Sequence, residues 1–382
     1  MQFDSFHRPA TSHVRSHKCQ LSPRARTAYD IMTASTVFNM NVTGSRSKNS
    51  TILVYPANGY MGYMICKEIV HESQRKAQMR NVNEVIAVCC GEGGMYEKLK
   101  GMGKPIKTIV MHNADNMSEW KSQMKDRKCD VMMLCMEGAP PHHKKTGMAR
   151  DESGKEKEHV KKFAESLECA VEMTRHMHCE AVAISTAFAA DDSKYKHWLH
   201  LYKSFEKAGK KYFKGECGVI FHNMMFDALY LNRDEIMRDG TISWPVAEDA
   251  KACPISAVDV ARCCMEVMHK MMKGGNKTMA HRHKEYHVTG REKLTPGDMV
   301  EMMCDSFDME IQYNEVDRKE WRKMMDKMQM LSLLDISLME ERFQMMDDGR
   351  FKKCTNECHK LIGEKPMDLG EWLDDHRDKF QR

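Results

Sequence analysis

The 382-residue sequence is marked first by what it lacks. No apolar run approaches the roughly 18–20 residues needed to cross a bilayer, so no membrane partner is expected. No stripe of Lys and Arg interleaves with aromatics, and the net charge is only +4, so no nucleic acid is expected either. The 15 cysteines include no Cys-x-x-Cys pair. An odd, scattered set without a secretory signal predicts free thiols in a reducing compartment. Neither Cys354–His359 nor His281-Arg-His283 has the spacing of a complete tetrahedral ligand set, so no metal is expected. Internal repeats are absent.

Hydrophobic residues make up 42% of the chain, enough to bury a real core. Methionine is the outlier at 37 residues. It stands where Leu or Ile is usual, as in Val131-Met-Met-Leu134, which reads as core packing.

Residues 1–48 are rich in Arg, Ser and Thr, poor in acids and without apolar periodicity. They read as a disordered or transit-like extension. The expected location is cytoplasmic, or organellar if this extension is a transit peptide.

From Thr51 the pattern is regular. Short apolar runs at Thr51–Tyr55, Glu84–Cys89, Ile106–Met111, Cys129–Met136 and Glu180–Ser185 alternate with helical stretches, among them Tyr60–His71 and roughly Lys155–Met177. Near-continuous apolar strands between helices predict an α/β fold, a Rossmann-like doubly wound parallel sheet buried on both faces. Glu216–Phe221 is a sixth strand. A helix follows over Ser256–Lys273, capped by Ser256, then a strand over Tyr286–Thr289 and a helix over Thr295–Phe307 with Pro296 at its first position. Glu310–Val316 alternates like a strand, Arg318 to about Met346 reads as one long helix, and Asp368–His376 as a short one. The expected division is a Rossmann-like domain over 50–290 and a smaller, mostly helical α+β substrate region over 291–382.

The first strand runs into Pro56-Ala-Asn-Gly59-Tyr-Met-Gly62 and then a helix. In a dinucleotide-binding turn one glycine permits the tight turn, a second lets the backbone approach a pyrophosphate, and a third lets the helix pack on the sheet. The second and third are present; Pro56 replaces the first, which fixes φ and removes an N–H near the phosphates.

Several landmarks resemble the NmrA-like branch of the atypical short-chain dehydrogenase/reductase superfamily. Pro56–Gly62 is similar to that family's Gly-rich turn, Asp130–Cys135 to its fourth strand and Val182–Ala187 to its fifth. Asp239–Ile242, Pro254–Ala261, Tyr286–Gly290 and Ile362–Trp372 resemble later landmarks, so the resemblance spans about 50–376. It implies an NAD(P)-binding domain whose members are either reductases or non-catalytic sensors that regulate a partner protein. It places Ala57, Asn58, Gly59, Tyr60, Met61 and Gly62 at the pyrophosphate, Cys90 at the end of strand 2, Asn113 near adenine, and Cys135 and Met136 at the ribose and nicotinamide. Pro254–Asp259 would begin the helix covering the site. Strand 2 ends in Cys89-Cys90-Gly91-Glu92 with no Arg for a 2′-phosphate, so the cofactor is NAD or NADP without a stated preference.

The superfamily's Tyr and Lys four residues apart, beside a Ser ending strand 5, do not appear in that form. Ser185, Thr186 and Tyr202 are the candidate catalytic residues, but Glu206 stands where Lys is required. Two functions follow: an oxidoreductase passing hydride from the dinucleotide to a small quinone- or carbonyl-type acceptor, or a dinucleotide-sensing regulatory or scaffold protein. The doublet His142-His143 with Lys144-Lys145 reads as an exposed loop near the site.

Overall fold

A computed structural model of the chain describes residues 50–75, 82–137, 152–272, 283–328 and 331–380. The extension over 1–48, the His142–Lys145 loop and His281 lie outside these residues. The first half alternates β1 (Ser50–Tyr55), α1 (Tyr60–Arg75), β2 (Val82–Cys90), α2 (Tyr96–Gly101), β3 (Ile106–Met111) and α3 (Met117–Gln123). It continues with β4 (Val131–Cys135), α4 (Glu152–His176), β5 (Ala181–Ala187), α5 (Lys196–Tyr212) and β6 (Glu216–His222). A 3-10 turn at Phe226–Asn232 leads to α6 (Arg233–Asp239), β7 (Thr241–Trp244), α7 (Ala257–Met272) and β8 (His283–Val288). Then come α8 (Pro296–Phe307), β9 (Gln312–Glu315), α9 (Arg318–Met328), α10 (Leu333–Asp347), α11 (Glu357–Ile362) and α12 (Leu369–His376).

Seven strands form one parallel sheet in the order β3-β2-β1-β4-β5-β6-β8. This is the doubly wound α/β architecture expected from the apolar runs. β4 and β5 are buried along their whole length, because helices cover both faces. On one face Met61, Ile65 and Ile69 of α1 and Val260, Cys264 and Val267 of α7 pack together; on the other lie Trp120, Leu167 and Trp198 of α3, α4 and α5. The order of connection reverses between β1 and β4, and the crevice outside the carboxyl ends of these strands is where such sheets take ligands. No helix among the described residues is long and apolar enough to cross a membrane.

Beyond β8, α10 packs on α4 and α5, α11 on α7, and α12 on α8. β9 pairs in parallel with β7, which precedes the boundary expected at 290. Three sequence expectations change. The single helix from Arg318 to about Met346 is two helices, because Ser332 and Asp335 form a capping box that starts α10 afresh. β7 is an additional strand, too short at four residues to show alternation. The cysteines are not all free: Cys253 and Cys354 form a disulfide with Cα atoms 5.5 Å apart.

α5 has no cap of its own, since Tyr195 at its N-cap position makes no side-chain cap bond. Glu341 of α10 supplies one. Its carboxylate accepts the N–H groups of His197 (3.0 and 3.2 Å) and Trp198 (3.1 Å) and the His197 Nδ1 (2.8 Å). The other ring nitrogen faces Glu156 at 3.1 Å. Hydrogen bonds to Glu156 and Glu341 push His197 up to about 9, and the His197 bond pulls Glu156 down to about 2. His197 therefore adds stability that is fully present below its unfolded value near 6.5 and is lost as pH rises through 9. Glu156 adds stability present above about 4.5 and lost as pH falls through 2. A melting temperature measured against pH should decline between pH 7 and 10. His197→Gln should flatten that alkaline limb; an unchanged limb would show that other groups set it.

Candidate functional site

The turn after β1 is held by bonds that the local sequence does not announce. Ala57 N–H donates to Val88 O at 2.7 Å, tying the turn to β2. Asn58, buried, donates its amide to the carbonyls of Gly91 (3.2 Å) and Gly93 (3.1 Å), and its Oδ1 accepts the Cys90 N–H at 3.0 Å. Asn58 thus cross-links the turn to the loop after β2, and its side chain is committed there. The Ala57 N–H is likewise spent on the sheet. Gly62 lies so close to the turn that a Cβ on it would sit 2.1 Å from Pro56 O. The helix-packing glycine is present by steric need. The first bond inside α1 is Tyr63 N–H to Gly59 O (2.9 Å), so the preceding N–H groups have no intrahelical acceptor and carry the positive end of the helix dipole.

Tyr60 extends from this helix end, and its hydroxyl donates to Asp227 Oδ1 at 2.5 Å. The other Asp227 oxygen accepts the Ala257 N–H at 2.9 Å, at the start of α7. Burial, then the neighbouring carboxylate, raise the Tyr60 pKa, so the phenol keeps its proton. The N-termini of α1 and α7 are joined through this one carboxylate.

At the strand ends, Cys90 is half-buried with its thiol 3.4 Å from Tyr55 OH, and burial pushes it up to about 12. Asn113 is exposed, its N–H bound to Glu119 at 2.6 Å. Cys135 and Met136 are fully buried, and the Met136 N–H donates to Ser185 O at 3.0 Å.

Ser185 and Thr186 are both buried in β5. Alternation along the strand puts Ser185 on the face of Ala181 and Ala183, the layer that holds Cys264 of α7. Val182 and Ile184 face the other layer, which holds Tyr202 packed on Phe221 with ring centroids 5.9 Å apart. Ser185 and Tyr202 are therefore on opposite faces of the sheet. Thr186 shares the parity of Tyr202, and its hydroxyl has no hydrogen-bond partner among the described residues.

A cluster not anticipated from sequence spans the end of β5. Glu137 follows β4, His222 ends β6, and Arg342 comes from α10; the Glu137 carboxylate contacts both of the other side chains. β4 and β6 flank β5, and Ala187 at its end is in register with His222, so the Glu137–His222 contact passes over a residue with little bulk. His222 Nδ1 lies 3.0 Å from Asn223 O, while Nε2 faces the Glu137 carboxylate. Burial works against the Glu137 charge, but Arg342 and His222 outweigh it and hold the carboxyl below its ordinary value. Chemically the cluster holds one carboxylate between a guanidinium and an imidazole where doubly wound sheets present substrates. Glu137 and Arg342 are 205 residues apart, and no local motif marks them.

The sequence matches no protein-family model and no curated protein. Solved structures do match in fold. The chain is similar to an NADPH-dependent quinone oxidoreductase from Escherichia coli complexed with NADPH, with a TM-score of 0.61 and 12% identity over 85% of this chain and 99% of that one. It is similar to a triphenylmethane reductase from Citrobacter sp. complexed with NADP(H), with a TM-score of 0.59 and 10% identity over 86% of this chain and 100% of that one. It is also similar to NmrA, a negative transcriptional regulator, with a TM-score of 0.54 and 11% identity over 86% and 95%. At these identities the likeness is one of fold, and it is the fold implied by the resemblance of the landmarks.

Proposed function

We propose that the chain is an NmrA-like, NAD(P)-binding oxidoreductase that passes hydride to a small organic acceptor of quinone or carbonyl type. The observation that carries dinucleotide binding is the Gly62 close approach, which fixes the N-terminus of α1 against the crevice between β1 and β4. The fold likeness to two reductases solved with NADPH or NADP(H) supports the reaction class.

The residues fit such a group in a reduced form. The backbone N–H groups of Gly59, Tyr60, Met61 and Gly62 would meet the pyrophosphate, while Ala57 and Asn58 hold the turn in shape. Cys90 and Asn113 would border the adenosine, and Cys135 and Met136 the nicotinamide ribose. Ser185 and Thr186 each offer a hydroxyl without a hydrogen-bond partner among the described residues at the end of β5. When bound, the dinucleotide supplies the hydride. The chain would bind and orient it, and the plug of Glu137, His222 and Arg342 would keep water from the far end of the crevice.

A second reading, a sensor that binds dinucleotide without turnover, is favoured by Ser185 and Tyr202 lying on opposite faces of β5. Thermal unfolding with NAD, NADH, NADP and NADPH, followed by turnover on a quinone panel, separates them. Ligand at 100 times its Kd should stabilise the fold by about 2.7 kcal/mol. Binding with oxidation of the reduced dinucleotide supports the first reading, binding without oxidation the second, and no stabilisation by any of the four removes both.

A further inference from the structure

The segment from Phe351 to Met367 crosses the carboxyl side of the sheet as a strap. Phe351 O accepts the Cys253 N–H at 2.9 Å and the Asn223 amide at 2.8 Å. Thr355 donates its N–H to Thr289 Oγ1 at 2.9 Å and its hydroxyl to His287 O at 2.5 Å, beside the end of β8. Met367 N–H ends on Asp259 of α7 at 2.8 Å. Two cysteine pairs join the strap to the stretch 253–263. Cys253–Cys354 is the disulfide already described. Ten residues further along one partner and four along the other, Cys263 of α7 and Cys358 of α11 place their sulfurs 3.5 Å apart, both fully buried.

We propose that Cys263 and Cys358 are a second oxidisable pair, closed by a low-molecular-weight disulfide of the glutathione type, so that the oxidised protein carries the strap on two staples. The Cys358 thiolate attacks one sulfur of the small disulfide, whose S–S bond breaks and releases one glutathione thiol. The Cys263 thiolate then attacks the Cys358 sulfur and expels the second glutathione. The two protein thiols lose two electrons and two protons; the small disulfide becomes two thiols. In the closed strap the bond to Cys358, together with burial, keeps the Cys263 thiol protonated, so reaction waits on local opening. α11 suits that role: it is six residues long, and Cys354, Asn356, His359 and Lys360 around it are exposed. The strap grips α7, whose first N–H is bound to the same Asp227 that holds Tyr60, so a second staple tightens the helix beside the glycine turn.

The test uses the full chain equilibrated with oxidised and reduced glutathione, then alkylated, digested and mapped by mass spectrometry, with a melting curve on each sample. The expected result is a Cys263–Cys358 cross-linked peptide in the oxidised samples while Cys66, equally buried, stays alkylatable after unfolding. It should come with a melting temperature raised by roughly 4 °C, as closing a loop of roughly 15 residues beside the existing Cys253–Cys354 bond would give. Cys358→Ser should retain Cys253–Cys354 and lose the oxidant-dependent rise. Recovery of Cys263 and Cys358 as free thiols where Cys253–Cys354 is oxidised would overturn the proposal. So would glutathione left on Cys358, or, among samples in which Cys253–Cys354 is closed, a rise that persists in Cys358→Ser.

Discussion

Replacing Gly62 with alanine is expected to cost about 1–3 kcal/mol of stability and to remove stabilisation by any dinucleotide. Gly62 is the third residue of α1, and on helix propensity alone alanine would gain about 1 kcal/mol there. The environment reverses the sign. The new methyl would lie 2.1 Å from Pro56 O and 2.8 Å from Ala57 Cα, both backbone atoms of a turn tied to β2 by the Ala57 and Asn58 bonds. Neither side can yield without breaking that cross-link, so α1 must move off the sheet and carry its N-terminal N–H groups away from the crevice. Gly209 supplies the internal control: it lies within α5, and a Cβ there meets nothing within 4 Å. Gly209→Ala should therefore stabilise by up to about 1 kcal/mol in the same denaturant titration. If Gly62→Ala behaved like Gly209→Ala, the turn would not be the close-packed element described above.

The parts of the fold that could be read from sequence are those whose cause is local. The central strands β4 and β5 were visible because a strand buried on both faces must be apolar throughout, as Val131–Cys135 is. The start of α8 was visible because Thr295 caps Asp298 N–H three residues on, with Pro296 between. The Ser332–Asp335 box is equally local, yet apolar spacing running through it suggested one helix. β7 carries no pattern of its own; its partner β9 begins 71 residues later, and only the pairing makes it a strand. The disulfide joins residues 101 apart, which a count of cysteines cannot reveal.

The site divides the same way. Gly62 stands where the motif requires it. The motif does not say that Asn58 turns its side chain to carbonyls 33 and 35 residues away, leaving only backbone groups for a phosphate. Nor does it say which face Ser185 takes: an extra residue in β5 would move it to the side of Tyr202, and only the register with β4 and β6 decides. The cap on α5 comes from Glu341, 143 residues from Trp198. These long-range polar contacts remove the freedom that a generic turn and a generic helix would leave. They also separate this crevice from one arranged for the superfamily's Ser–Tyr–Lys chemistry.

Arg342→Met is the second large effect expected, a loss of about 3–5 kcal/mol at neutral pH. Arg342 is 4% exposed, stacked over the Trp198 ring at 5.1 Å and paired with Glu137. Methionine keeps an unbranched stem in the space but leaves the Glu137 carboxylate with only the His222 ring beside it in this cluster. The pH dependence identifies the cause. In the native protein Glu137 is held below its ordinary value, so its contribution is present above about pH 4.5 and is lost as pH falls. Without Arg342, burial dominates, the carboxyl titrates higher, and protonation relieves the variant. The deficit between the two proteins should then be largest near pH 7 and shrink toward pH 4.5. Adding Glu137→Gln to Arg342→Met should restore part of the stability, since the uncompensated charge is gone. The double-mutant cycle should show coupling of about 0.5–3 kcal/mol. A deficit independent of pH, with additive single effects, would mean that Arg342 acts through its packing on Trp198, and its pairing with Glu137 would contribute nothing.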